Sequence, residues 1–347
     1  MHILVIRFSS LGDIVLTTGF CSWIKKHYPD SKIDFLTLEQ NALLLEENPH
    51  LEKVHTYKKQ SGLKDIKSLF QLAKKLKQQD YRFIVDLHGN TRSFILRNFL
   101  YHIPSLVLDK WRVERSLLIK YQKDFLRKAP KQFERGMHDF AKTLCIPYER
   151  NDLFQWQKAQ GLKNITTSHA SLLNHAKEHA LAICPGASFK TKKYPVQYFI
   201  QIARDLMQAD TKLKLYIIGG PDEMECDEIA DSLKDYSDRV YNQRAKISLR
   251  DSIDLIAKVK LVLGNDSFFG HIADSVNIPA LSIFGPTDER FGYAPYGVFS
   301  KTYSVKNLNC RPCSLTGNKN CYRTNQFCMD NINRQEIIRD ILERLKD

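Results

Sequence analysis

Asp13 occupies a position where a carboxylate can do chemistry. It follows His2-Ile-Leu-Val-Ile-Arg-Phe8, then Ser9-Ser10-Leu11-Gly12. The His2–Phe8 run is mostly apolar and rich in β-branched residues, which predicts a buried strand. Ser9 and Ser10 suit a helix N-cap, and Gly12 permits a tight turn. Ile14, Val15, Phe20, Trp23 and Ile24 then recur at helical spacing. Asp13 thus lies where a strand's carboxyl end and a helix's amino end point at one crevice, the place where open α/β sheets bind ligands. A carboxylate there either complements the helix dipole or faces a substrate.

The second half carries a parallel set. In Leu263-Gly-Asn-Asp266-Ser267-Phe268-Phe-Gly-His271 a strand ends at Gly264, and Asp266 and Ser267 can cap a helix. The amino end of such a helix offers backbone N–H groups to a phosphate, and His271 follows one turn on. Ile283-Phe-Gly285-Pro286-Thr287-Asp288 reads as a tight loop after the next strand. Its Thr287 hydroxyl either bonds a phosphate or sugar or completes the turn. Cys184-Pro-Gly-Ala-Ser188 leaves another strand, with Lys192-Lys-Tyr-Pro195 close behind. A compact cation such as Lys192 either meets an anionic group or is one more surface lysine of a lysine-rich chain. Ile217-Ile-Gly-Gly-Pro-Asp-Glu223 is a strand and glycine turn without the G-x-G-x-x-G spacing, so it gives no dinucleotide fingerprint. Cys310, Cys313, Cys321 and Cys328 crowd four thiols into a short run. That composition serves a structural zinc or reduced thiols, and we expect thiols.

The elements that must position these residues alternate. Strands are predicted over Lys32–Leu38, Val54–Tyr57, Tyr81–Leu87, Ala180–Cys184, Lys212–Ile218, Lys260–Leu263 and Pro279–Phe284. Helices are predicted over Gln40–Glu47, Ile66–Gln79, Gln197–Met207, Glu223–Leu233, Phe268–Ser275 and Arg334–Leu345. In Ile66–Gln79 the spacing turns Leu69, Phe70, Leu72, Ala73 and Leu76 inward and leaves a solvated lysine face. Alternation of this kind makes parallel, doubly wound sheets. The chain's 347 residues suffice for two domains, and a polar stretch near 150–178 marks the junction. We expect an N-terminal domain over 1–165, a C-terminal one over 166–330 and a closing helix over 331–347.

Composition narrows the partners. The hydrophobic fraction is 43%, and no apolar run is long enough to span a bilayer. The chain opens directly into a strand rather than a signal peptide, so we expect a cytoplasmic protein with reduced cysteines. The lone Cys21, Cys145, Cys184 and Cys226 read as core. A net charge of +13 implies anionic partners, and no nucleic-acid module accompanies it. The charge is densest over Lys110–Arg135, with nine Lys or Arg against three acids and interleaved aromatics. Such a segment, including Lys120 and Lys123, either meets an anionic membrane or phosphorylated acceptor or forms a helix with a solvated face.

The R-F-S-S-L-G-D-I-V-L-T-T core of the opening resembles that of glycosyltransferase family 9, the lipopolysaccharide heptosyltransferase family. The P-G-A-S…K-x-Y-P, D-S-F-x-x-H and F-G-P-T-D stretches follow in that family's order, with Tyr194 replacing its tryptophan and Phe268 a glycine. The resemblance covers nearly the whole chain and is thinnest from about 100 to 175. It implies a GT-B arrangement, two Rossmann-like α/β domains with parallel sheets facing across a cleft. It implies inverting, metal-independent transfer of heptose from ADP-heptose to the lipopolysaccharide inner core, with no required cofactor. Asp13 would be the general base. Ser188, Lys192, Asp266, Ser267, His271, Gly285, Pro286 and Thr287 would line the donor diphosphate, and Glu223 the nucleoside. Ser10, Gly12, His88, Arg92, Lys120 and Lys123 would lie on the acceptor side. Expected partners are the nucleotide-sugar donor, a phosphorylated lipid A–core acceptor and the inner face of the inner membrane, not nucleic acid. Alternatives are another nucleotide-sugar donor, or a non-catalytic anion-binding protein on this scaffold.

Overall fold

The computed structural model describes residues 1–46, 48–123, 140–143 and 179–346. Contacts divide the chain into two compact units, one built on Met1–Trp111 and the other on Gln157–Asp347, with Arg112–Ala129 grouped with the latter.

The first unit holds a parallel sheet in the order β3-β2-β1-β4-β5. Its strands are β1 (His2–Ile6), β2 (Lys32–Leu38), β3 (Lys53–Tyr57), β4 (Phe83–Asp86) and β5 (Ser105–Val107). Val5 pairs with Phe35 on one side and Val85 on the other, so β1 is central. Ile3, Leu4, Val5 and Ile6 are fully buried, as a parallel strand covered on both faces requires. Helices α1 (Leu11–His27), α2 (Gly62–Leu76) and α3 (Thr91–Phe99) belong to the same unit. Strand order reverses between β1 and β4, so their carboxyl ends flank the switch point where such sheets bind ligands. Asp13 follows one of these strands and His88 the other. Trp23 and Phe20 of α1 pack against Phe140.

The second unit holds a parallel sheet in the order β11-β10-β9-β6-β7-β8. It comprises β6 (Ala180–Cys184), β7 (Lys214–Ile217), β8 (Val240–Asn242), β9 (Leu261–Asn265), β10 (Ala280–Ile283) and β11 (Lys301–Tyr303). Here the order reverses between β6 and β9. Lys192 lies beyond the first of these strands and Asp266 beyond the second. Helices α5 (Val196–Ala209), α6 (Glu225–Asp231), α7 (Leu249–Ile256), α8 (Phe268–Ser275), α9 (Phe327–Asp330) and α10 (Arg334–Lys346) surround the sheet. Phe199, Ile202 and Leu206 of α5 pack with Ile337 and Ile341 of α10 over Leu181 and Leu215 in one core.

Two expectations change, and for the basic helix one of two open readings fits. On α2, Leu69, Ala73 and Leu76 are buried as the spacing predicts, but Phe70 is exposed. Asp65 is buried in its stead, because Arg92, Tyr57 and the Gln60 N–H all satisfy its carboxylate. The segment over Gln40–Glu47 forms a 3-10 turn over Glu39–Leu44 rather than an α-helix. In the basic segment, α4 (Arg112–Tyr121) packs into the second unit. Its Arg115 is buried, donating to the Phe291 carbonyl at 2.6 Å and lying over the Phe291 and Tyr293 rings. That arginine anchors the helix instead of meeting a partner. The remainder of the basic stretch beyond Lys123, and Cys145, lie outside the described residues. Strands β5, β8 and β11 were not predicted, being three residues each and too short for a periodic signal.

Candidate active site

In the first unit the β1–α1 turn gathers three groups around one carboxylate oxygen. Ser10 is the N-cap of α1, and Asp13 is its third residue. Ser10 N and Oγ donate to Asp13 Oδ2 at 3.1 and 2.8 Å. The Arg7 guanidinium meets the same oxygen at 2.5 Å. Oδ1 takes none of these contacts. Burial pushes the Asp13 carboxyl up, but Arg7 and the Ser10 donors outweigh it and hold it below its ordinary value. Asp13 is therefore ionised at neutral pH. Gly12 is buried beside it.

His88 comes to the same place from β4. Its ring is buried, edge-on to Phe8 with centroids 5.4 Å apart. The buried Asp86 carboxylate accepts from the His88 and Gly89 N–H groups and fixes the turn. Burial, with help from Arg7 and Lys110, pushes the His88 imidazole down to about 4. His88 is thus neutral at pH 7, and its Nδ1 has no hydrogen-bond partner among the described residues. Arg92 does not join this group, since its Nε is bound to Asp65 at 2.7 Å. Lys120 and Lys123 are exposed on and just beyond α4, which is grouped with the second unit.

In the second unit the centre is a buried ion pair. Lys192 Nζ sits 2.8 Å from Asp266 Oδ2, and the fully buried Thr287 donates to that oxygen at 2.6 Å. Three loops, following β6, β9 and β10, thus converge on one carboxylate. Ser267 is the N-cap residue of α8, yet its hydroxyl caps nothing and has no partner among the described residues. Phe268 opens α8 with its ring against Phe269, and His271 is buried one turn further. Ser188 is exposed on the β6 loop. Glu223 folds back over the glycine turns: Gly220 N donates to its Oε2 at 2.8 Å. A Cβ at Gly186 would run into that carboxylate, so a larger residue there would displace the Glu223 side chain. Burial raises the Glu223 carboxyl, offset in part by Gly220 N–H and Lys193.

Sequence reasoning missed the braces. Arg7 stood out only as a charge within a strand. Asn265, at the end of β9, pins both ends of the loop that follows β6, accepting from Tyr194 N at 3.0 Å and donating to the Pro185 carbonyl at 2.6 Å. The cysteine-rich stretch proves to be a buttress of the Lys192 site. Cys313 N donates to the Pro286 carbonyl at 3.1 Å, Arg311 Nε to Gly285 O at 2.9 Å, and Thr191 to Gly317 O. Gly317 has φ +87°, and a Cβ there would meet the Lys192 stem at 2.5 Å. Cys328 is buried, Cys310 and Cys313 half-buried and Cys321 exposed. Among the described residues no three or more His, Cys, Asp or Glu side chains are grouped to hold a metal ion. Burial pushes the Cys328 thiol up to about 11, with smaller contributions from the neighbouring Cys313, Cys310 and Cys321. Cys21, Cys184 and Cys226 are buried core thiols.

Two parallel, doubly wound units, one with an ionised aspartate and the other with a lysine beyond its switch-point strands, make an α/β protein with polar groups where such sheets bind ligands. The family model for glycosyltransferase family 9 (heptosyltransferase) matches residues 69–322, and the chain belongs to that family. It is 25% identical over 303 residues to lipooligosaccharide heptosyltransferase 2 of Haemophilus influenzae, covering 84% of this chain and 85% of that protein. It is 27% identical to lipopolysaccharide heptosyltransferase 3 of Escherichia coli, covering 81% of each. The solved structure of Escherichia coli heptosyltransferase WaaC with ADP matches with a TM-score of 0.70 at 18% identity, over 99% of this chain and all of that one. That likeness shows the expected GT-B fold class. The protein is a glycosyltransferase, and the non-catalytic alternative falls away.

Proposed function

We propose that this enzyme transfers heptose from ADP-heptose to the phosphorylated lipid A–core acceptor of lipopolysaccharide, by inverting displacement without a metal ion. The observation that carries this reading is the asymmetry at Asp13: among the described residues its side-chain contacts meet Oδ2, which leaves Oδ1 to an incoming hydroxyl. The acceptor oxygen attacks the heptose C1 as the bond from C1 to the diphosphate oxygen breaks, and one displacement inverts that carbon. The hydroxyl proton passes to Asp13, and the bonding pair leaves on ADP. A sugar hydroxyl is a poor nucleophile at neutral pH, so proton removal during bond formation supplies much of the rate. His88, neutral and with Nδ1 unpartnered, orients the acceptor hydroxyl beside it. Ser10 and Gly12 shape the turn, while Arg92 is taken up by Asp65.

On the donor side Lys192 receives the charge of the leaving diphosphate. Asp266 and Thr287 position its ammonium, and the amino end of α8, with Ser267, offers donors to the phosphates. Ser188 and the Gly285–Pro286 loop line the same group, with His271 behind them, and Glu223 meets the nucleoside. The names of the relatives support heptose and a lipopolysaccharide acceptor, and the solved WaaC structure with ADP supports the nucleotide. An acceptor of this kind has the enzyme working at the inner face of the inner membrane, where Lys120 and Lys123 lie among the groups facing its phosphates. No helix among the described residues is long and apolar enough to cross a membrane.

A donor panel tests the proposal. Release of nucleoside diphosphate is measured with ADP-heptose, ADP-glucose, UDP-glucose and GDP-mannose, each with and without lipid A–core acceptor. ADP-heptose should give acceptor-dependent release well above the others. Equal or faster turnover of another sugar nucleotide refutes the donor assignment.

A further inference from the structure

The surface of α2 and α3 presents what a soluble helix pair normally hides. On α2, Leu63 is 84% exposed, with Ile66 and Phe70 outward one and two turns on. On α3, Phe94 is 57% exposed, and Tyr101 just beyond the helix is 83% exposed. The two helices are joined at this surface by the Phe70 and Phe99 rings, 5.3 Å apart. Between Lys58 and Lys77 the chain has seven lysines and one acid, Asp65. All seven lysines are exposed, whereas Asp65 is buried against Arg92 and Tyr57. The outward face of α2 is therefore cationic without an exposed acid. Lys67 and Lys74 project from the same side as Leu63 and Phe70, and Lys74 Nζ lies over the Phe70 ring at 4.8 Å.

We infer that this face docks on an anionic lipid bilayer, with Leu63, Ile66 and Phe70 entering the headgroup region and the lysines meeting lipid phosphates. Exposed apolar side chains flanked by lysines on one helix face suit that boundary: the apolar groups gain from burial and the ammonium groups stay wet. A nucleic acid would engage the lysines but give Leu63 and Ile66 nothing to bury against. A protein partner would have to be both acidic and apolar over the same stripe. The inference deepens the proposed function, because it rests on an acceptor carried by a membrane lipid. It also assigns lipid contact to α2 rather than to the basic helix α4, whose buried Arg115 serves packing.

The experiment is co-sedimentation of the full chain with vesicles, without sugar donor, so that it succeeds or fails independently of the transferase assignment. Vesicles containing roughly one third phosphatidylglycerol are compared with neutral phosphatidylcholine vesicles. Wild type should bind the anionic vesicles, and added salt should weaken that binding. The Lys64→Gln, Lys67→Gln, Lys74→Gln triple variant should lower partitioning about a hundredfold, from about fivefold per lysine. Leu63→Ser with Ile66→Ser should lower it about tenfold or more. Both sets change exposed residues only, so ADP release with detergent-solubilised acceptor should hold at wild-type level. Unchanged partitioning in both variants overturns the inference, as does equal binding to neutral vesicles. So does loss of binding only on changing Lys120 and Lys123. A self-association in solution that both variants abolish, with vesicle binding intact, assigns the face to a second copy of this chain and overturns it too.

Discussion

Replacing Asp13 by asparagine separates its two roles in a way that the structure makes quantitative. Asparagine keeps the size of the side chain, and its carbonyl oxygen still accepts from Ser10 N and Oγ. What it removes is the charge opposite Arg7, which is only 7% exposed and has the Leu87 carbonyl as its other acceptor. Breaking a fully buried ion pair costs about 3–5 kcal/mol. Asp13 retains 23% side-chain exposure and asparagine still accepts from Ser10, so the expected loss is lower, about 1–3 kcal/mol. Turnover should fall separately, by about 10² to 10⁴-fold, because the proton acceptor is gone. Urea unfolding and ADP release report the two effects. An Arg7→Met, Asp13→Asn double variant removes the stranded guanidinium and should recover most of the stability but none of the turnover. The mechanism is refuted if Asp13→Asn keeps more than about a tenth of wild-type turnover, or if the double variant restores it. The pH dependence carries the same sign. Because Asp13 is held below its ordinary value of 3.8, its pairing contributes fully above that value and is lost as pH falls through the lower, folded one. The asparagine variant should lack that acid-side loss.

Lys192→Ala should reduce turnover about 10²-fold or more with the fold intact, and near-normal kinetics at saturating ADP-sugar would exclude it as the diphosphate's partner. Gly317→Ala, far from Lys192 in sequence, should also slow transfer, since its Cβ displaces the Lys192 stem and its φ of +87° disfavours any side chain; unchanged kinetics would show that the buttress is idle. The His88 ring protons should titrate near 4, and stability should fall as pH drops from about 6.5 toward that value, because the unfolded imidazole takes up its proton first. A His88→Gln chain should lose that dependence, and a midpoint near 6.5 would contradict the buried, neutral reading. Elemental analysis of protein purified without chelator should find no stoichiometric zinc, and about one ion per chain would show that the four cysteines regroup around metal.

The sequence alone determined many of the strands and the turns that follow them. β2 and β6 fall on the predicted bounds, as does α8, because buried parallel strands and amphipathic helices write their periods into hydrophobicity. Asp13, Asp266 and Thr287 stood out because turn residues mark the strand ends, where ligands bind, whereas Lys192 stood out from the other lysines only through the family resemblance. What the sequence left open was who holds whom. Arg7 reads as one charge in an apolar run until β1, β4 and α1 bring it onto Asp13. Phe70 has the spacing of a core residue, yet Asp65 takes the inward place because Arg92 and Tyr57 satisfy it. Gly317 and Lys192 meet only when the cysteine-rich loop folds over β6's turn, a contact between distant segments with no local period to betray it. Local pattern records which face of an element is apolar. The pairing of charges and the close approach of loops depend on chain segments far apart in sequence, and only the tertiary structure decides them.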